Sequence, residues 1–399
     1  MQISLSVTIF LIVFFAVLDG LRDTFFPGSH LSYIKDITPL IGFVLVIYKC
    51  KQIQSIKYNF NYYIIFNIGL ICIITIGLAN TVFASTVFER SSELSFGGFS
   101  VLIKIISFLF LANFLYLLKL NNPAQFNSIP KIYIFCTLFY CLITFIFVFS
   151  GLNTNLAPRN WYGRLSIGYP TMDSFVLVVG LALLQISNFK RRITIILYLI
   201  FFLCLIMQNT VSGYLMLFIL WFSYLFTLKG VNKLLPIIFF SLAILTLTIT
   251  YNFYADSLGF FGALIADKIN GFIFGADTSS ISARREQIAE LLHLMSSDIF
   301  TLFFGVGGFG AFSVESQLYS VFGFGGIFAV VAYLLFLITI FLKIYQSKNH
   351  IFIILLLLYI AGGFSLTALY LYPFIFIISY IFAASDINLP FKKYENMKI

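Results

Sequence analysis

Charged residues make up only 10% of this sequence, against about 25% in a typical soluble domain. With 61% hydrophobic residues and a mean hydropathy of +1.02, a soluble globular fold is excluded, and the chain reads as an all-α integral membrane protein in a lipid bilayer. Histidine is equally sparse: His30, His293 and His350 stand at no metal-ligand spacing, so no metal site is expected. The five cysteines, Cys50, Cys72, Cys136, Cys141 and Cys204, lie in or beside apolar runs and are expected to pack as small core residues. There is no DxD pair, no P-loop, no His/Cys cluster and no placeable Ser-His-Asp arrangement. Any chemistry must then come from side-chain acid–base groups and arginines, with no cofactor expected. No internal repeat and no low-complexity linker divides the chain, so residues 1–399 are expected to form one polytopic domain.

The apolar runs fit about twelve membrane spans, from residues 3–18 at the start to 367–384 at the end. The last two, 351–363 and 367–384, are short and could form one hairpin, which would make eleven. The first run lacks a basic n-region and a small-x-small cleavage site and is expected to be a retained span. The net charge of +9 is spread as short basic punctuation between the runs. That is a topology signal and not a nucleic-acid groove. With the amino terminus inside, fifteen of the 24 Lys and Arg fall in inner loops, Lys119 and Lys343 among them, while Arg22 and Lys35 argue locally the other way. Of the fifteen acids, only Asp386 and Glu395 fall inside. Acids do not set topology, so this asymmetry puts the polar work on the outer face.

The largest outer loop, residues 251–316, is far longer than a connection requires. Within it Ile288, Leu291, Leu292 and Met295 form an i, i+3, i+4, i+7 stripe, the mark of a short amphipathic helix with Ser282 as a plausible N-cap. At 100° per residue Arg284 falls on the apolar side, where it must meet an anion or snorkel to water. Its planar guanidinium suits pyrophosphate, and a solvated helix end is the plainer alternative. Gly305, Gly307 and Gly310 form G-x-G-x-x-G without the strand context of a dinucleotide fingerprint. A tight bend returning the loop to the membrane surface is expected instead. Glu315 follows at the mouth of the next span. It is either a candidate general base or a charge favourably placed at a helix N-terminus.

A second outer loop packs Arg159, Trp161, Tyr162, Arg164 and Tyr169 closely together. Its arginines could bind an anion and its aromatics could stack on sugar faces, or the loop could be an interfacial belt. Asp173 just beyond it is expected to cap a helix. Lys104, a turn into a span, could snorkel outward or sense a phosphate.

On these residues the chain resembles the O-antigen polymerase and ligase superfamily. The resemblance rests on many spans, a mid-chain Arg-containing outer loop, a large late outer loop, Ser282-x-x-Arg285, Gly305-Val-Gly307-Gly308-Phe-Gly310, and Glu315-Ser316-Gln317-Leu318-Tyr319 before an aromatic–glycine helix. It implies a GT-C-like fold and a glycosyltransferase that joins undecaprenyl-pyrophosphate-linked oligosaccharides, donor and acceptor both lipid-linked. Activity would lie on the outer face of the bacterial plasma membrane, with a chain-length regulator as a partner. Glu315 and Arg284 would be catalytic, with Arg159, Arg164, Arg285, Trp161, Tyr162 and Tyr319 binding substrate. Ligases of the superfamily carry a histidine-led motif where this chain has Glu315-Ser316, which favours polymerase. The alternatives are the ligase itself and a flippase or transporter of the same lipid-linked unit. A nearly charge-free interior and the absence of repeated halves speak against a transporter.

Overall fold

The computed structural model describes residues 2–25, 31–49, 60–87, 92–150, 169–187, 189–208, 210–227, 279–296, 298–308, 310, 314–347, 349–368 and 370–385. All regular structure among them is helical. The helices are α1 (Gln2–Phe25), α2 (Leu31–Lys49), α3 (Phe60–Val87), α4 (Ser92–Asn121), the single turn α5 (Pro123–Phe126), α6 (Ile129–Phe149), α7 (Pro170–Leu183), α8 (Arg191–Gln208), α9 (Val211–Thr227), α10 (Ser279–Ser296), α11 (Ile299–Phe304), α12 (Gln317–Ser347), α13 (His350–Gly363) and α14 (Tyr372–Ala384). Among the described residues, five stretches are long and apolar enough to cross a membrane: Tyr63–Asn80, Ser100–Asn121, Pro123–Phe147, Arg191–Gln208 and Gln317–Ser347. Shorter apolar helices accompany them. The expected span at 233–250 lies outside the described residues, as do 251–278 of the large loop.

Two short helices form the centre. Every residue of α7 and of α14 is buried, Thr171, Asp173 and Ser174 of α7 included. Both carry proline in their first turn, where the missing N–H leaves no bond unmade. At 1.5 Å per residue they are about 21 Å and 20 Å long, short of a bilayer core of about 30 Å, and longer helices surround them. Phe374 stacks on Phe175 at 3.8 Å between ring centroids and joins α14 to α7. Phe382 stacks on Phe66 at 3.8 Å and joins α14 to α3.

Several charges expected in loops are inside helices and buried. Lys119 and Lys343 end α4 and α12, and their Nζ atoms donate to the carbonyls of Ala384 at 2.8 Å and Phe382 at 2.9 Å. They satisfy the orphan carbonyls at the end of α14 and sit at the negative pole of its dipole. Lys35 donates to both carboxylate oxygens of Asp19, at 2.8 and 2.7 Å, with each side chain 5% exposed. Asp173 is not a cap. Tyr169 holds the N-cap position of α7, and the Asp173 carboxylate lies buried one turn in, accepting from the Tyr140 hydroxyl at 2.9 Å. That hydroxyl in turn accepts from the Gln208 amide at 2.8 Å. The expectation of a nearly charge-free interior is therefore corrected: these helices carry charges into the core because each meets a partner there. Of the described cysteines, Cys136, Cys141 and Cys204 are buried as expected, whereas Cys72 is exposed.

Candidate functional site

The sequence of α10 places Arg284 and Gln287 on the side that also carries Leu291 and Met295. The structure keeps that arrangement, with the last two buried against Val306 and Val314. Leu292, expected on the stripe, is 45% exposed, because it stands about 100° round the helix from the buried Leu291, at the edge of the packed arc. The helix begins at Ser279, so Ser282 falls inside its first turn and is not the cap.

Arg284 does meet an anion, and the anion is Glu315. Nη2 lies 3.6 Å from Glu315 Oε2, with the side chains 28% and 47% exposed. Nη2 also makes a long 3.4 Å approach to the Ser365 carbonyl, and the buried Nε–H has no hydrogen-bond partner among the described residues. At this exposure the pair contributes about 1 kcal/mol or less to stability. Tyr169 donates its hydroxyl to Glu315 Oε1 at 2.8 Å, and the Glu315 backbone N–H donates to Gln287 Oε1 at 3.3 Å. Four chain segments thus converge on the Arg284–Glu315 pair: the residue capping α7, the packed face of α10, the entry to α12, and the turn after α13.

Tyr370 and Lys104 extend the group. Burial pushes the Tyr370 phenol up, a hydrogen bond with Thr367 pulls it part of the way back, and the nearby Glu315 carboxylate raises it again. The Lys104 ammonium stands 5.3 Å from the Tyr370 ring centroid, within cation–π range.

Of the other expected site residues, Tyr319 packs on the small apolar cluster of Leu291, Met295, Val306 and Val314, one turn beyond Glu315. Arg285 is exposed, 100° round the helix from Arg284. Arg159, Trp161, Tyr162 and Arg164 lie outside the described residues. Gln287 and Tyr370 were not expected. Gln287 could have been found from its i+3 spacing to Arg284, whereas nothing local marks Tyr370. Among the described residues, no group of three or more His, Cys, Asp or Glu could hold a metal ion.

The glycine turn does more than bend. Gly305 and Gly307 take φ of 78° and 73°, and the N–H groups of Val306 and Gly307 donate to the carbonyls of Gly323 (2.8 Å) and Phe324 (3.1 Å). Those carbonyls are free because α12 is interrupted at Gly325 and Gly326, the latter at φ 63°. The turn and the break satisfy each other, as irregular backbone inside a membrane protein must. Asn80 of α3 adds a hydrogen bond from its amide to the Phe304 carbonyl. Backbones at Gly310 and Gly323 touch: a Cβ on Gly310 would lie 2.4 Å from the Gly323 oxygen, and one on Gly323 would lie 2.6 Å from the Gly310 oxygen. Gly323→Ala is therefore expected to cost about 1–3 kcal/mol through overpacking. Gly69→Ala, where a Cβ meets nothing within 4 Å, is expected to be neutral or to stabilise α3 by about 0.5–1 kcal/mol. Thermal unfolding of the two variants in detergent checks the contrast, and equal melting temperatures would refute it.

No protein-family model matches the chain, and no curated protein matches it significantly.

Proposed function

We propose that this protein is a polysaccharide polymerase, a glycosyltransferase that joins undecaprenyl-pyrophosphate-linked repeat units of O-antigen or capsule on the outer face of the bacterial plasma membrane. The proposed architecture is a GT-C-like bundle of about twelve spans. One observation supports the reading above the others: a carboxylate, a guanidinium and a phenol from three separate chain segments meet at Glu315, Arg284 and Tyr169.

In the proposed reaction a hydroxyl of the incoming lipid-linked unit attacks the anomeric carbon of the growing chain. The new glycosidic C–O bond forms as the bond to pyrophosphate breaks, and the hydroxyl proton passes to Glu315. Arg284 neutralises charge on the departing pyrophosphate, with Arg159, Arg164 and Arg285 in support. Tyr169 and Gln287 orient the carboxylate. When pyrophosphate arrives, Arg284 exchanges its weak pairing with Glu315 for the phosphoryl oxygens, and this leaves the base open to the acceptor. A transporter of the same lipid-linked unit is the second reading, favoured by the buried Asp19–Lys35 pair and the buried Asp173.

The test is deletion of the gene in its host, followed by electrophoresis of surface glycan. A band of core plus one repeat, with the ladder gone, is the expected result, and complementation with Arg284→Ala should restore the ladder poorly. Core alone with long lipid-linked chains accumulating would identify a ligase. Core alone with unpolymerised units held on the inner leaflet would identify a transporter.

A further inference from the structure

Helices α10 and α11 are neighbours in the large loop, yet their outer faces differ in kind. The exposed positions of α10 include Arg285, Glu286, Glu290, His293 and Ser296, a surface that water solvates. One turn further on, α11 exposes Ile299 at 72%, Phe300 at 54% and Phe303 at 38%. Asp298, also exposed, stands at its N-cap. The change from polar to wholly apolar takes place within three residues.

A soluble loop that leaves three large apolar side chains together in water loses the stabilisation their burial would bring. The structure shows what adjoins them. The rings of Phe303 and Phe304 rest on Phe328 of α12, at 5.7 and 5.2 Å between centroids. Phe328 begins a stripe of exposed apolar residues, continuing through Val331, Leu335 and Ile338. This i, i+3, i+7, i+10 spacing marks one face of α12. That helix is long and apolar enough to cross a membrane, and this stripe lies exposed along it. The apolar face of α11 is continuous with its upper end.

We infer that α11 is a membrane-embedded segment. Its Ile299, Phe300 and Phe303 face enters the hydrocarbon of the leaflet on the Glu315 side, with Asp298 at headgroup level and α10 in water. The partner of this surface is bilayer lipid. Six residues make a helix of about 9 Å, too short to span, so the chain dips in and turns back. The carboxy-terminal end of its backbone is paired within the protein: the Gly305–Gly307 turn bonds to the break in α12, and the Asn80 amide takes the Phe304 carbonyl. The break and the dip are thus one device. The gap opened at Gly325 and Gly326 leaves the Gly323 and Phe324 carbonyls as acceptors for the N–H groups of the returning chain, which hydrocarbon could not satisfy. This inference does not depend on the polymerase reading.

The test is fluorescence of Phe300→Trp and, separately, Ile299→Trp, in the full chain reconstituted into phosphatidylcholine/phosphatidylglycerol vesicles. The signal of the parent protein, from Trp161 and Trp221, is subtracted. Leu292→Trp on α10 is the control. The added emission at 300 and 299 is expected to be blue-shifted, quenched by brominated acyl chains and insensitive to aqueous iodide, and the control is expected to show the reverse. If iodide quenches positions 299 and 300 as strongly as 292, α11 lies in water and the inference fails. If neither quencher reaches them, protein covers the face, whether a second copy or another partner, and the inference fails as well.

Discussion

Glu315→Gln is expected to remove the glycan ladder while the protein remains folded in the membrane. Loss of a positioned general base costs about 10²–10⁴ in rate. The substitution preserves shape, and an amide oxygen can still accept the Tyr169 hydroxyl that now lies 2.8 Å from Oε1. The half-exposed pairing with Arg284 contributes about 1 kcal/mol or less, so unfolding temperature should scarcely move. That separation of activity from stability is the diagnostic. Tyr169→Phe removes only the orienting hydrogen bond and should leave a shortened ladder. Complementation in the deletion strain, with glycan gels and membrane immunoblots side by side, measures both. Full-length chains from Glu315→Gln would sink the assignment of the base.

The largest effect on stability is expected at the Asp19–Lys35 pair. Asp19→Ala leaves the Lys35 ammonium in a site where the residue is only 4% exposed, and breaking a buried pair on one side costs about 3–5 kcal/mol. Lys35→Met should cost a similar amount by stranding the carboxylate. The double variant Asp19→Leu with Lys35→Met strands neither charge and should recover most of the loss, since a well-packed apolar pair is often as stable as the ions it replaces. Thermal unfolding in detergent and yield in membranes report the three values. A double variant as unstable as the singles would mean that the pair contributes through something other than mutual neutralisation. The pair also bears on topology. Lys35 argued against the orientation favoured by the rest of the chain, and a lysine neutralised by Asp19 across two helices is no longer the bare loop charge on which the positive-inside count rests.

The direction of Arg284 was legible in the sequence because helical periodicity is local: 100° per residue places it beside Leu291 whatever else the chain does. Its partner was not legible. Glu315 belongs to another segment, and the Tyr169 hydroxyl that completes the set comes from 146 residues away. Lys119 and Lys343 were expected in loops and Asp173 at a helix cap, and all three were misplaced for one reason. A charged residue near the end of an apolar run reads as the edge of the span, because the sequence does not show the hydroxyl or carbonyl waiting in another helix.

The class of the protein was determined by the sequence alone: sparse charge and long apolar runs exclude a soluble fold, and hydrophobicity adds up residue by residue without reference to tertiary contacts. Run length located most helices, and the glycines at 305–310 announced a turn. Only the tertiary structure decided that this turn docks on a break at Gly325–Gly326, that α7 and α14 are enclosed by the other helices, and that Glu315 is held by Tyr169, Gln287 and Arg284. Each of these depends on hydrogen bonds and ring contacts between segments far apart in the chain, and such contacts are specified by how the helices pack together, which no local pattern records.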